Sequence, residues 1–204
     1  MCMRKRVALV IDEEYIELSP AASRLWAKSD DGLNEEWLPL FLHMIDAAHV
    51  AGMLWDCWVP LGVKDTIARA MGVDCDFAKR ITVLLAGLHD LGKAIPAFQA
   101  QPLRHGGVLI ENLFIMDLKR RGFGFPQDSD AASNTVPRHA WCSAAFYLSY
   151  LHGLPACGSR EMKSAAASLA TILALHHGST PNEPVRPSVP RVCGDDPPRA
   201  LESV

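Results

Sequence analysis

From Trp37 onward, apolar residues recur every three or four positions and are broken by short Gly-, Pro- or charge-rich stretches. That is the helical period, which returns positions i, i+3, i+4 and i+7 to one face. The run WLPLFLHMIDAAHVAGMLWDCW carries Leu40, His43, Met44, Ala47, Val50, Ala51 and Leu54 in this spacing. It predicts a buried helix that closes near Pro60 and Gly62, with Pro39 compatible with its first turn. A shorter helix is predicted over 64–70, before Gly72. Asp74 or Asp76 can then cap DFAKRITVLLAGLHD, where Phe77, Ile81, Leu84, Leu85 and Leu88 line one side and Gly92 marks the stop.

Residues 101–108, with Gly106-Gly107, read as a loop, 109–120 as an amphipathic helix, and GFGFPQDSDAASNTVP as a long exposed connection. Helix returns from His139 to Leu151, packing through Trp141, Ala144, Ala145 and Leu148. An alanine-rich helix from Arg160 to His177 closes at Gly178. Residues 1–36 read as irregular or short-structured. The last 26 residues hold six prolines and no aromatic residue, which predicts a loop or disordered tail. The expected architecture is therefore all-α. A bundle of about five main helices occupies residues 1–178, and a proline-rich tail occupies 179–204.

Composition narrows the function classes. With 49% hydrophobic and 21% charged residues in 204, the chain can bury a core and is not a disordered polymer. Its 20 Lys+Arg against 23 Asp+Glu exclude a wholesale basic nucleic-acid binder and leave room only for a local basic rim. Cys2, Cys57, Cys75, Cys142, Cys157 and Cys193 form no CxxC pair, so neither a zinc ribbon nor a redox dithiol is offered. The apolar run Val7 to Ile11 meets Asp12, Glu13 and Glu14 too early for a secretory signal, and no run approaches a membrane span. A reducing cytoplasm, with no membrane partner, is the expected setting.

Histidine is the informative residue. His89-Asp90 ends one apolar helix, His176-His177 ends another, His139 opens a third after Pro137, and His43 lies inside the first. Each has an ordinary alternative: a core imidazole bonded to a carbonyl, a helix C-terminal cap, dipole-favoured rings beside Gly178, or a first-turn residue. Together they point to a shared divalent ion, because buried imidazole and carboxylate need a partner and are good ligands for first-row transition metals. Asp46, one turn after His43, is either an acceptor that orients an imidazole or a surface carboxylate. Lys93, one turn beyond Asp90, suits a phosphate oxygen, or is simply solvated. The LysArgArg run at 119–121 reads as a solvated helix end. His49, His105 and His152 lack the context of the other five and are expected at the surface.

The segments LLAGLHDLGKAIPAFQ, WLPLFLHMIDAAHVAGMLW, LWAKS, RGFGFP, VPRHAWCS and LALHHG occur in an order, from Trp26 to Gly178, that resembles one family. It is the HD nuclease domain of the CRISPR-associated helicase-nuclease of type I systems, most closely its E-subtype form. The resemblance implies an HD-type helical bundle that cleaves single-stranded DNA with one or two transition-metal ions (Mn, Co, Ni, Fe or Zn). It assigns His43 and His89 to one ion and His139, His176 and His177 to the other. Asp90 bridges them, and Lys93 lies near the scissile phosphate. It implies a helicase domain or subunit and an RNA-guided surveillance complex as partners. The family also carries a further metal-ligating aspartate in a helix well beyond HHG. Asp195 and Asp196, beside Pro197-Pro198, do not match it. The expectation is a truncated domain that lacks the last helix and is impaired in cleavage. A nucleotide phosphohydrolase of the HD class and a non-catalytic helical interaction remnant are the alternatives.

Overall fold

The computed structural model describes residues 8–11, 14–29, 37–99, 116–121 and 138–178. Two short antiparallel pairs precede the helices. Strand β1 (Ala8–Ile11) pairs with β2 (Glu14–Glu17), and β3 (Trp26–Ser29) pairs with β4 (Trp37–Pro39). The helices are α1 (Leu40–Cys57), α2 (Leu61–Met71), α3 (Cys75–Leu88), the single turn α4 (Pro96–Gln99), α5 (116–120), α6 (His139–Gly153) and α7 (Arg160–Ala174). The fold is all-α in character, with the strands as small additions. None of the described helices is long and apolar enough to cross a membrane.

The helix ends follow local chemistry. Gly72 stops α2 in the left-handed region (φ 69°), and its amide donates back to the Ala68 and Arg69 carbonyls. Asp74 caps α3, accepting from the Phe77 amide at 2.7 Å, and Ser159 caps α7, accepting from the Met162 amide at 3.1 Å. After Ala174 the chain turns through 175–177 and leaves at Gly178 (φ 74°). His176 and His177 therefore sit on that turn rather than inside the helix.

Helices α1 and α3 pack side by side, α2 covers one end of α3, and α6 lies along α7. The contact between α6 and α7 is built from small residues. Ala166, Ala170 and Ala174 repeat every four positions on α7 and meet Ala144 and Leu148 of α6, with Leu85 of α3 closing the cluster. Small side chains at this spacing let two helices approach closely along a common face. A second cluster joins Trp26 of β3, Ile95 and Phe98 around α4, and Cys142 and Phe146 of α6. It ties the strand to the loop that follows α3.

Several expectations from the pattern need correction. Trp37–Pro39 is a strand paired with Trp26–Ser29, and Pro39 stands just before α1 rather than within its first turn. A three-residue apolar run fits a strand or a helix equally well, and only its partner decides. Helix α1 buries Leu40 and Trp55, while Val50, Met53 and Leu54 are exposed, and Trp58 just past its end is 76% exposed. Phe77 and Leu84 of α3 are exposed too, because α1 and α7 cover the face that carries Ala78, Ile81 and Leu85. Of the expected 109–120 helix, 116–120 is helical. The remainder of that helix, the 101–108 loop, the connection through 122–137 and the 179–204 tail lie outside the described residues.

The tightest packing in the fold falls at Gly92. It belongs to a 3₁₀ turn, Leu91–Ala94, that lies against the start of α6. A Cβ placed there would collide with the His139 carbonyl, the Ser143 amide at 2.5 Å and the Cys142 Cβ at 2.8 Å. Two of these three are backbone atoms of a helix and cannot rotate away. Gly92→Ala is accordingly expected to destabilise the protein by about 3 kcal/mol, the upper end of ordinary overpacking costs. A denaturation midpoint indistinguishable from the native one would show that α6 does not close on this turn.

Candidate metal centre

Helix α3 ends at Leu88, and the next two residues carry the chemistry. Asp90 lies in the sparsely populated region between helix and strand (φ −105°, ψ 8°), which turns its carboxylate into the bundle, where it is only 4% exposed. A buried carboxylate needs donors from its neighbours. Oδ2 meets the His43 Nε2 at 2.8 Å, the Lys93 Nζ at 2.7 Å and the His89 Nε2 at 3.2 Å. Oδ1 meets the His139 Nε2 at 3.2 Å and the His176 Nε2 at 3.6 Å. His177 joins through its Nε2, 2.7 Å from that of His139.

All six side chains singled out as ligands thus converge, from α1, the end of α3, the start of α6 and the turn after α7. Their ligand atoms fall into two groups that share Asp90: His43, His89 and Asp90, and Asp90, His139, His176 and His177. Within each group the atoms lie within 4.8 Å of one another. The carboxylate offers one oxygen to each group. The rings are crowded, His43 edge to face on His89 with centroids 5.1 Å apart and His176 tilted against His177 at 4.2 Å.

Two rings are held by backbone. The His89 Nδ1 lies 2.7 Å from the Ala86 carbonyl, and the His176 Nδ1 lies 2.7 Å from the Leu173 carbonyl. A carbonyl only accepts, so Nδ1 is the donor in both and Nε2 is turned toward Asp90. The His176 Nε2 is buried and has no hydrogen-bond partner. A lone pair facing a carboxylate oxygen across 3.6 Å is repelled unless a cation lies between or beside them. The donor set therefore fits a transition-metal ion, being rich in imidazole with one shared carboxylate.

Charge states agree with this arrangement. Burial alone would raise the Asp90 carboxyl, but its bonds to His139, His89 and Lys93 hold it far below the usual carboxylate range. Burial lowers His43 despite Asp90, lowers His176, and together with His139 lowers His177. The bond to Asp90 raises His89.

Lys93 is not the solvated head of its alternative reading. It is buried, pairs with Asp90, donates to the Ala27 carbonyl at 3.2 Å and lies 5.5 Å from the centre of the Phe98 ring. The negative charge of Asp90 draws it in, and β3 roofs it over. Asp46, His49 and His152 are exposed, and His105 lies outside the described residues. Arg121 of the 119–121 run is exposed and pairs with Asp117 at 3.0 Å.

Two supporting residues escaped the sequence reading. Gln99 is buried, donating to the Lys93 and Trp26 carbonyls at 2.8 and 3.0 Å and accepting from the Trp26 amide at 3.2 Å. Ser143 is buried against the His89-to-Gly92 turn, with hydroxyl contacts at 2.7 Å to the His89 carbonyl and the Gly92 amide. Gln99 stood in plain view within IPAFQ, and Ser143 lies one helical turn after His139 on the same face.

Comparison with known proteins agrees with the geometry. The family model described as "Cas3, HD domain" matches residues 26–196. A CRISPR-associated nuclease/helicase Cas3 from Streptococcus thermophilus is 31% identical over 157 residues, 75% of this chain and 16% of that protein. A CRISPR-associated endonuclease/helicase Cas3 from Thermus thermophilus is 38% identical over 85 residues, 42% of this chain and 9% of that one. The chain thus spans a small fraction of the relatives it matches. Among solved structures, that of T. fusca Cas3 superposes with a TM-score of 0.56 at 26% identity, covering 90% of this chain and 17% of its own. A crystal structure of a CRISPR-associated protein does so with 0.64 at 28% identity, covering 84% and 17%. With the family model matched over most of its length, the chain belongs to the Cas3 HD-domain family.

Proposed function

We propose that this chain is the metal-dependent nuclease unit of a CRISPR-associated nuclease/helicase, and that it hydrolyses phosphodiesters of single-stranded DNA. The observation that carries the reading is the buried Asp90 carboxylate, with one oxygen toward each of two histidine groups and an unpartnered His176 nitrogen beside it. His43, His89 and Asp90 would hold one ion, and Asp90, His139, His176 and His177 the other. Imidazole-rich ligation suits Mn, Co, Ni, Fe or Zn. Bound ions of this kind supply Lewis-acid activation of water and neutralise charge on phosphate oxygens.

The residues of the chain prepare that chemistry. Asp90 stays ionised because His139, His89 and Lys93 hold it so. His43, His176 and His177 stay neutral near pH 7 because burial opposes their protonation. Lys93 acts from inside, orienting Asp90 and offsetting its charge, rather than by touching substrate. The ligand histidines are partly exposed, with His89 at 25% and His139 at 22% of their side chains. A flexible single strand can bring a phosphate to such edges, whereas a duplex holds its backbone at a fixed curvature. The helicase parts of the relatives, and the match to a surveillance complex in a pre-nicking state at a TM-score of 0.52, support helicase and surveillance-complex partners.

The test is cleavage of a labelled single strand by purified protein with Mn or Ni, beside His89→Ala/Asp90→Ala. Loss of the shared Asp90 together with His89 is expected to reduce cleavage at least ~100-fold, beyond the usual effect of losing a supporting group around a metal. Undiminished cleavage by the double variant would sink the proposal. Hydrolysis of free nucleotides with none of single strands would favour a nucleotide phosphohydrolase instead.

A second prediction concerns pH. In the chelator-treated protein, His43, His176 and His177 contribute stability that is present above their ordinary 6.5 and is lost as pH falls through their lowered values. His89 works the other way: its contribution is present below 6.5 and is lost as pH rises through its raised value. Below 6.5 His89 is charged in folded and unfolded states alike and the three lowered groups decide the sign, so the thermal midpoint is expected to drop as pH is lowered from 6.5 to 5. Metal affinity is expected to weaken over the same window, because protons compete for the ligand nitrogens. A midpoint that rises on acidification would contradict the burial of these rings.

A further inference from the structure

Ser143 is fully buried, yet it belongs to neither ligand group. Its hydroxyl donates to the His89 carbonyl at 2.7 Å and accepts from the Gly92 amide at 2.7 Å, with the His139 carbonyl at 3.1 Å as a further acceptor. The two main partners bracket Asp90 in the chain. The His89 carbonyl is left free by the C-terminal end of α3, and the Gly92 amide by the start of the 3₁₀ turn that follows. Ser143 thus takes up the carbonyl just before the shared carboxylate and the amide two residues after it.

The same hydroxyl stands on α6 one turn after His139, so both project toward the turn. His139 reaches Asp90 Oδ1 from the start of that helix. Close approach of α6 is possible because residue 92 has no side chain, as the collision of an added Cβ with α6 backbone makes plain. Gly92 permits the contact, and Ser143 fixes its register. A shift of α6 along the turn would break both 2.7 Å bonds and carry His139 away from Asp90 together with them.

We propose that Ser143 is a positioning residue that sets the spacing between the two ligand groups across Asp90. It touches neither substrate nor ion; it works through the backbone that carries His89 and Asp90 on one side and through α6 and His139 on the other. The proposal rests on the reading of these groups as a metal centre. Its consequence is that removing one hydroxyl weakens metal binding although every ligand is retained.

The test titrates the chelator-treated full chain with Co(II), following calorimetric heats and the visible absorption of the bound ion. Ser143→Ala is expected to weaken Co(II) binding about 10- to 100-fold, the range seen when a group that orients a ligand is lost, and to alter the absorption band. Leu148→Ala, on the same helix but in the hydrophobic cluster between α6, α7 and Leu85 of α3, serves as the stability control. It should lower the thermal midpoint while leaving Co(II) affinity and spectrum native. Ser143→Cys keeps a weaker, longer-range donor and should fall between the native chain and Ser143→Ala, which keeps the test open if the alanine variant does not fold. Native affinity and spectrum in a folded Ser143 variant would overturn the proposal, as would an equal loss in Leu148→Ala. Failure of the unaltered chain to bind Co(II) would instead overturn the metal-centre reading on which the proposal stands.

Discussion

A carboxylate cannot be taken out of water without donors, and in this fold the carboxylate of Asp90 is taken out almost completely. His89 and Lys93 flank it in the chain, and its other partners come from α1, α6 and the turn after α7, three segments that otherwise have little reason to meet at one point. The helical packing brings them near, and the charge decides which side chains face inward. This explains why Lys93, at a position that would ordinarily be solvated, is buried beneath β3 with the Ala27 carbonyl as its second acceptor. It also explains why small β-strands matter in a helical protein. Strand β3 supplies that carbonyl, and Gln99 bonds to the strand and to the Lys93 carbonyl at once.

Position within the site is controlled by backbone as much as by side chains. Gly92 leaves room for α6, Ser143 fills the hydrogen-bonding vacancies of the turn, and the carbonyls of Ala86 and Leu173 hold the rings of His89 and His176. Each ring carbonyl comes from three residues earlier, the place where a helix end leaves a carbonyl available. The ligands are thus presented by helix termini. A terminus offers free backbone acceptors to orient an imidazole, and its irregular geometry lets adjacent residues such as His89-Asp90 and His176-His177 serve one centre. Inside a regular helix, neighbours in sequence would point about 100° apart.

The legible parts of the chain were those governed by local rules. Gly72, Asp74 and Gly178 punctuate helices through turn and cap chemistry that depends on only a few neighbours. The histidines were conspicuous because a polar group at the end of an apolar run has few ordinary explanations. What stayed hidden depended on long-range partners. Trp37–Pro39 became a strand only because Trp26–Ser29 lies beside it. The exposure of Val50, Met53 and Leu54 on α1 reflects which faces of the bundle are covered, which periodicity alone does not state. Ser143 is a common residue in a helix, and its role exists only because Gly92, 51 positions away, comes within hydrogen-bonding distance.

The two sides of Asp90 differ in how well the protein alone can satisfy them. Oδ2 receives the Lys93 ammonium and the His43 ring, so positive charge and a donor are already in place there. Oδ1 faces His139 and the inward nitrogen of His176, whose other nitrogen is spent on Leu173. The same His139 nitrogen stands 2.7 Å from the His177 Nε2 and 3.2 Å from Oδ1, so a single proton on it serves one of these contacts and leaves the other without a donor. His176 and His177 therefore bring lone pairs rather than protons to that side of the carboxylate. Adding protons means charging rings that burial keeps neutral, as the lowered values of His176 and His177 reflect. A divalent cation resolves the conflict without charging a ring, because it accepts several lone pairs at once and is attracted by the carboxylate charge. The need for it is greatest on the side that Lys93 does not serve.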